Sequence, residues 1–284
     1  MKRFIIAVIA TIVSVSAFAQ EADNTKTGIL LADKHKIVVE ARRSTMNFNE
    51  INASKAIRVT VEERTTGNII VRAPQSVMGY VSLEVRDNTL YATLLPGAPI
   101  SRISNVVADI YVPYNGQINE ITTYSAARVI VKPTISCNEL DLDAYSASVI
   151  DVKASAKEVS IEASKASHIK AELATDDLDC EFSGASAITL LGQVTDADIE
   201  VSGASTLRAD KLRAAELEIE CSGASKAYVL GVNCTTKASG ASHINVECLS
   251  ILNATASGAS SIIYSGDCVV NTISNTGASS IRKK

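Results

Sequence analysis

The sequence predicts an all-β fold, a right-handed parallel β-helix of about nine coils of 17–21 residues, preceded by an irregular β N-terminal portion. Two observations predict it: a four-residue phrase recurs at a nearly constant interval, and the residues beside the phrase alternate between apolar and polar. A unit this short cannot hold a strand and a helix with two connections. The hand follows because crossovers between parallel strands are right-handed in about 98% of cases.

The repeated phrase is Ser-Gly-Ala-Ser or a close variant. Its nine copies begin at Tyr124, Tyr145, Ser164, Ser183, Ser202, Ser222, Ser239, Ser257 and Thr276. The third residue is always Ala, and the fourth is Ser except at Ala127. We expect the Ala to be a small inward corner residue, the Ser to form a hydroxyl ladder, and the Gly to occupy a permissive turn position. Ser125, Ser146 and Lys165 replace the Gly in the first three copies, which argues against a strictly required left-handed conformation.

Apolar residues recur at fixed distances on both sides of the phrase, for example Ile121 and Leu142 before it and Val129 and Ile150 after it. Each copy therefore carries at least two short strands that face one core. A sandwich or jelly roll is the alternative, but ordinary strands would not need the same Ala nine times.

The chain divides into a signal peptide at 1–19, an N-terminal segment at 20–43, irregular β coils or a cap at 44–123, and the repeat β-helix at 124–284. Residues 44–284 are expected to form one continuous domain. Lys2 and Arg3, an apolar run and Ala17-Phe18-Ala19 are typical of an export signal with a cleavage site. An open end of a β-helix is a sheet edge, so part of 44–123 is expected to cover it.

Composition excludes several classes of partner. The formal net charge is -4 and the sequence has no basic tract, which argues against nucleic acid. Aromatic residues make up 4% of the chain with no Trp, so the core must be aliphatic. No segment after the signal peptide is apolar enough to span a membrane.

The sequence resembles the putative auto-transporter adhesin, head GIN domain family of exported bacterial proteins. The resemblance rests on Phe48-Asn49-Glu50-Ile51, Ile57-Arg58-Val59-Thr60-Val61, Val85-Arg86-Asp87-Asn88-Thr89-Leu90 and the Ser-Gly-Ala-Ser ladder, and covers roughly 40–284. It implies an exported β-helical protein with an adhesive role and no catalytic residues.

Acidic side chains occupy three equivalent positions before the phrase in five successive coils. They are Glu139, Glu158, Asp177, Asp196 and Glu216; Asp141, Asp179, Asp198 and Glu218; and Asp143, Glu162, Glu181, Glu200 and Glu220. Three interpretations are open: a solvated face that keeps sheets from stacking, a surface for a basic partner or polymer, or a Ca²⁺ site. Calcium binds six to eight oxygens, and the densest grid is Asp177, Asp179, Glu181, Asp196, Asp198 and Glu200.

The six cysteines do not form three evident pairs. Cys180, Cys221 and Cys234 are expected to be small core residues, and only Cys248 and Cys268 lie close enough in register to form a disulfide. His168 and His243 share one outward position but lie four coils apart, so we expect no histidine metal site. The Ser ladder has no paired base, which indicates a structural role.

The sequence thus predicts a non-enzymatic cell-surface or envelope protein, an adhesin that presents a rigid face with an acidic patch to a glycan or protein ligand. It has no predicted cofactor apart from calcium. One alternative is a periplasmic scaffold or ligand-binding protein. The other is a polysaccharide lyase-like enzyme, which would need carboxylates beside Lys or Arg, whereas Lys170 and Arg208 fall on a different strand from the acidic grid.

Overall fold

The computed structural model describes residues 36–43, 47–64, 67–99 and 107–284. The predicted signal peptide and most of the predicted 20–43 segment lie outside the described residues. Across the described ranges, no helix has both the length and the apolar character that a membrane crossing requires.

The described residues form twenty strands and one short helix. The elements up to the repeat are β1 (Ile37–Arg43), β2 (Glu50–Ser54), β3 (Ile57–Glu62), β4 (Asn68–Pro74), α1 (Gln75–Met78), β5 (Val81–Arg86), β6 (Thr89–Leu94), β7 (Ala108–Pro113), β8 (Glu120–Tyr124) and β9 (Arg128–Ser136). The remaining strands are β10 (Glu139–Tyr145), β11 (Val149–Ser155), β12 (Glu158–Ser164), β13 (His168–Phe182), β14 (Ala187–Val201), β15 (Thr206–Cys221), β16 (Lys226–Ala238), β17 (His243–Ala256), β18 (Ser261–Ser265), β19 (Val269–Asn275) and β20 (Ser280–Lys283).

The repeat forms the stacked coils of a right-handed β-helix, as the sequence predicts. Segments that precede the phrase pair in parallel from coil to coil and make the pre-turn sheet, which runs from β8 through β10 and β12 to β19. Segments that follow the phrase make the post-turn sheet, from β9 through β11 to β20. Strands β13 to β17 each bend between the two sheets, so one strand serves both.

The core between the sheets is aliphatic because alternate residues of each strand point inward. Most of the predicted inward positions are buried, among them Ile121, Leu142, Ile150 and Ile188 at 0–1% exposure, whereas Ile273 near the C-terminal end is 48% exposed. Phe182 is the largest fully buried side chain. Successive coils are separated by the spacing between neighbouring strands, about 4.8 Å. Equivalent side chains of successive coils therefore stack on one another.

The Ala of the phrase has the opposite orientation to the one predicted, because the Ser takes the inward position at the corner. The third residue, for example Ala185 or Ala204, is exposed, whereas the fourth is buried. The hydroxyls of Ser186, Ser242 and Ser260 donate to the carbonyl of the first phrase residue at 2.8–2.9 Å. The turn therefore supplies an acceptor for each of these buried hydroxyls, which removes the cost of burying a polar side chain.

The second phrase residue is left-handed in the first three copies as well, so the expectation drawn from Ser125, Ser146 and Lys165 is wrong. Their φ angles are 52°, 59° and 55°. In these copies the following Ala also has positive φ, the signature of a type I′ turn. From Gly184 onward only the Gly has positive φ, which indicates a type II′ turn, where glycine is required at that position.

The change of turn type reverses the hydrogen bonds between coils. Ala126 N donates forward to Ser146 O at 3.0 Å, whereas Ala204 N donates backward to Gly184 O at 2.7 Å. In the type II′ copies the glycine carbonyls form a ladder, and a Cβ on Gly203 would lie 2.5 Å from Gly184 O. The ladder thus leaves no space for a side chain.

The coils before the repeat stack in a different order from the sequence. Strands β2 and β3 pair with β8 and β9 on one side and with β6 and β7 on the other. The coil made of β2 and β3 therefore lies between the coil of β6 and β7 and the coil of β8 and β9, although both follow it in the sequence. Its corner at Lys55 and Ala56 also has positive φ, and Ala56 N donates to Ser125 O, so it repeats the type I′ turn.

The N-terminal end of the β-helix is covered by antiparallel strands. Strand β5 pairs with β6, β4 with β7, and β1 with β4. Val77 and Met78 of α1 are buried beside them. This segment thus contains both irregular coils and antiparallel strands at the end of the β-helix.

The C-terminal end has no such cover among the described residues. Strand β19 pairs only with β17, and β20 only with β18. Val269 and Ile273 of β19 are 70% and 48% exposed. The two ends of the β-helix therefore differ: one is covered by antiparallel strands and the other is an open edge.

Candidate functional site

The pre-turn sheet brings the fourteen predicted carboxylates into three rows on its outer surface, which we call the acidic face. In the first row each residue pairs in register with the next, in the order Glu139, Glu158, Asp177, Asp196 and Glu216. The rows that contain Asp179 and Glu181 run in the same way. The apolar residues between the rows are buried. Parallel in-register pairing places equivalent side chains about 4.8 Å apart along each row.

Few cations neutralise the acidic face. Among the described residues, the ion pair on it joins Lys237 Nζ to Glu218 Oε1 at 2.7 Å, while Asn233 donates to Glu216 at 2.6 Å. The other ion pairs of Lys with acidic side chains in the repeat, such as Lys153 with Glu172 at 2.6 Å, lie on the post-turn sheet. The acidic face thus carries a large excess of negative charge.

Partial burial, together with the crowding of carboxylates, raises the pKa values of several side chains on the acidic face. Burial raises the pKa of Asp143 to about 6, and the charges of Glu162, Asp141 and Glu120 act in the same direction. Burial and neighbouring Glu218 also raise the pKa of Asp198, against the opposing charge of Lys237. Part of the face therefore takes up protons under mildly acidic conditions.

A tyrosine pair borders the acidic face in the first two repeat coils. The rings of Tyr124 and Tyr145 stack with centroids 5.3 Å apart, and Tyr145 donates to Glu162 at 2.5 Å. Burial and this hydrogen bond raise the pKa of Tyr145, so the phenol remains a donor. We did not predict this pair, although both residues begin a phrase and therefore share a register position.

A shallow groove of about 310 Å³ lies towards the C-terminal side of the acidic face. Its lining includes Asp196, Glu216, Glu218, Asn233 and Asn253. The groove marks the place where the acidic rows end, because the next register positions are the neutral Asn233 and Thr235 and the cationic Lys237. It combines acceptors with amide donors.

The predicted calcium grid occupies six adjacent positions on this face: Asp177, Asp179, Glu181, Asp196, Asp198 and Glu200. A flat sheet directs these carboxylates side by side. Among the described residues, no group of three or more Asp, Glu, His or Cys side chains is arranged to hold a metal ion. Calcium binding stays a prediction.

The other candidate residues do not belong to the carboxylate rows of the acidic face. Cys180, Cys221 and Cys234 are buried, and all six cysteines are free thiols. His168 and His243 are exposed on the post-turn sheet, while His35 lies outside the described residues. Lys170 and Arg208 also lie on the post-turn sheet, where Lys170 faces Asp151 at 4.0 Å and the Arg208 guanidinium lies 5.8 Å from the Tyr228 ring.

Solved structures share this fold. A putative adhesin from Parabacteroides merdae has a TM-score of 0.67 at 17% identity and covers 88% of this chain and 96% of its own. A putative adhesin from Parabacteroides distasonis has a TM-score of 0.67 at 16% identity over 89% and 98%. A putative lipid binding protein from the same organism has a TM-score of 0.65 at 19% identity over 87% and 96%.

No curated protein matches the chain. A family model does match, over residues 47–233, which include the reordered N-terminal coils, the tyrosine pair and the whole acidic face. The chain therefore belongs to the putative auto-transporter adhesin, head GIN domain family.

Proposed function

We propose that this protein is a non-enzymatic, exported adhesin that binds a positively charged ligand, on a protein or a glycan, through its acidic face. The observation that carries the proposal is the three rows of carboxylates on one rigid sheet surface, of which only Glu218 has an ion-pair partner among the described residues. The family supports an adhesive role, as do the structural neighbours described as adhesins.

The acidic face is suited to binding because its repulsion is relieved when a cationic partner arrives. Charges about 5 Å apart repel by roughly 0.8 kcal/mol in bulk water, and by more where the surroundings are less polar. The strands hold the carboxylates at a fixed spacing, so little conformational order needs to be gained on binding. Complementary charge also speeds encounter.

The enzyme alternative has less support from the family and from the structural neighbours, which are described as putative adhesins and a putative lipid binding protein. A lyase would need a carboxylate beside a lysine or arginine in one groove. Glu218 in the groove on the acidic face pairs with Lys237, and a second groove is lined by Asp176 and Arg213, so the side chains alone do not decide between the two functions.

Location separates an adhesin from a periplasmic scaffold. Intact cells that produce the protein are treated with a protease, and the protein is then detected in the cells and in the released fraction. We expect it to be lost from intact cells. Survival until the outer envelope is opened would support the periplasmic alternative and contradict surface adhesion.

Attachment of the same cells tests the role of the acidic face. The quadruple variant Asp179→Asn, Glu181→Gln, Asp198→Asn, Glu200→Gln removes four charges from its centre, and we expect attachment to fall at least tenfold. The matched control Asp151→Asn, Glu172→Gln, Asp210→Asn, Glu247→Gln removes four charges from the post-turn strands. Equal attachment by both variants, at equal surface amounts, would rule out the acidic face as the binding surface.

A further inference from the structure

Three cysteines from successive coils meet where the strands bend between the two sheets. Cys234 lies in β16, Cys248 in β17, and Cys268 immediately before β19. Gly231 pairs in register with Cys248. A Cβ on Gly231 would lie 2.7 Å from Cys234 Sγ, so the Cys234 sulfur occupies the space that this glycine leaves open, next to Cys248.

Cys248 is the centre of this thiol cluster. Gly231 of the Cys234 coil pairs with it on one side. On the other side Gly266, two residues before Cys268, stacks directly on the Cys248 backbone, where a Cβ on this glycine would meet Cys248 O. Cys248 Sγ also lies 3.1 Å from Ile251 O, which holds the sulfur at the bend. Cys234 and Cys248 are 2% and 0% exposed, whereas Cys268 is only partly buried. The cluster therefore runs from the core towards the surface.

We propose that the thiol cluster is a redox site that holds one disulfide at a time, with Cys248 as the shared partner and Cys248–Cys268 as the pairing formed first. A small disulfide such as oxidised glutathione is the oxidant. The Cys268 thiolate attacks one sulfur of the oxidant and releases one thiol, and the proton lost by Cys268 balances that thiol. The Cys248 thiolate then attacks Cys268 Sγ, which expels the second thiol and closes the intrachain bond.

Cys234 can exchange with this bond. Attack of its thiolate on Cys248 Sγ forms Cys234–Cys248 and returns Cys268 to the thiol, with no net oxidation or reduction. Burial raises the pKa of both Cys234 and Cys268. Both steps need a thiolate and should be faster at pH 9 than at pH 7.

The position of the cluster gives the disulfide a structural consequence. Cys268 belongs to the last coil, whose strands β19 and β20 have one unpaired edge among the described residues. Cys248 belongs to the coil before it. The Cys248–Cys268 bond would therefore fasten the open end of the β-helix to the next coil.

Peptide mapping of the purified full chain tests the proposal. Reduced protein is equilibrated with oxidised glutathione, free thiols are alkylated, and cross-linked peptides are identified by mass spectrometry. We expect four alkylated cysteines out of six and a Cys248–Cys268 cross-link in the wild type. Six alkylated cysteines after exhaustive oxidation, or a cross-link that omits Cys248, would overturn the proposal without any variant being needed.

Serine variants identify the shared partner. Cys268→Ser should retain one disulfide, now Cys234–Cys248, and Cys234→Ser should retain Cys248–Cys268. Cys248→Ser should have no intrachain disulfide. Cys180→Ser, a control for loss of a buried cysteine outside the cluster, should behave as the wild type. A disulfide that persists in Cys248→Ser would refute the shared role of Cys248.

Discussion

Single residues of the phrase determine whether successive coils can approach one another. From Gly184 onward, the glycine carbonyl of one coil accepts a hydrogen bond from the alanine N–H of the next. The same carbonyl lies where a side chain on the next glycine would begin. Ser and Lys occupy this position in the first three copies because the type I′ turn directs the peptide the other way. The change from Ser or Lys to Gly and the reversal of the hydrogen bonds between coils therefore have one cause, the change of turn type.

Replacement of a ladder glycine should therefore cost stability through both strain and contact. Gly203→Ala places a methyl group 2.5 Å from Gly184 O at a residue with φ of 67°. We expect the free energy of unfolding to fall by about 2–4 kcal/mol, measured by chemical denaturation. The control Gly116→Ala has a similar φ of 76° with no atom within 4 Å, and should lose only about 1 kcal/mol. Equal losses in the two variants would contradict a steric role for the ladder.

The elements show which parts of the fold a sequence pattern can predict. Apolar residues alternate at Leu90, Ala92 and Leu94 and at Ala108, Ile110 and Val112, a pattern typical of strands, and the structure has them as β6 and β7. The pattern reports which side chains face the core, but not which strand lies beside which. The insertion of β2 and β3 between later coils was therefore not predictable. The corner Ser54-Lys55-Ala56 was also missed, since Ile57 stands where the repeat has Ser.

The same limit applies to the candidate sites. The carboxylate rows were predictable because the interval between the phrase and the preceding strand is constant. The contact of Cys234 with Cys248 was not, because the register shifts between Gly231 and Asn233 at the bend. A spacing argument fails wherever successive coils differ in length, and the bends are the places where this repeat absorbs its 17–21-residue variation.

The N-terminal cover depends on one arginine that joins three elements. Arg42 of β1 donates to Val81 O of β5 at 2.7 Å and to Met78 O of α1 at 3.3 Å. Arg42→Ala removes these charge-assisted bonds, and we expect a loss of about 1.5–3 kcal/mol. Hydrogen exchange should quicken in β1, α1 and β5, and remain slow in β13 to β16.

A surface arginine provides the control for the cover. Arg86→Ala removes a side chain that lies 4.4 Å from the Tyr91 ring centroid and pairs with Glu84 at 3.4 Å, both on the exposed side of the β5–β6 hairpin. Exposed ion pairs contribute less than about 1 kcal/mol. If Arg86→Ala quickened exchange in the cover as much as Arg42→Ala does, the joining role of Arg42 would be wrong.

At the scale of the whole molecule, burial of the aliphatic core stabilises the fold, whereas the repulsion between carboxylates on the acidic face destabilises it. The core is a continuous column of aliphatic side chains, while one outer surface concentrates fourteen of the 31 acidic residues. Such a surface resists sheet stacking between molecules, yet it destabilises the folded state through repulsion. That destabilisation should depend on pH through the half-buried carboxylates, of which Asp143 has the clearest shift.

The sign of the pH effect follows from the raised pKa of Asp143, about 6 in the folded protein against an ordinary value of 3.8. The folded state binds this proton more tightly than the unfolded state, so the stabilisation is complete below about pH 4 and is lost as pH rises through 6. Asp143→Asn should accordingly be more stable than the wild type at pH 7.5, by about 1 kcal/mol because partial exposure screens the charge, and the difference should vanish near pH 4. Thermal unfolding of both proteins at the two pH values measures it, with Asp210→Asn as a control carboxylate outside the acidic face. A variant that is less stable than the wild type at pH 7.5 would show that the Asp143 charge is stabilised by its neighbours and that the face is not under electrostatic strain.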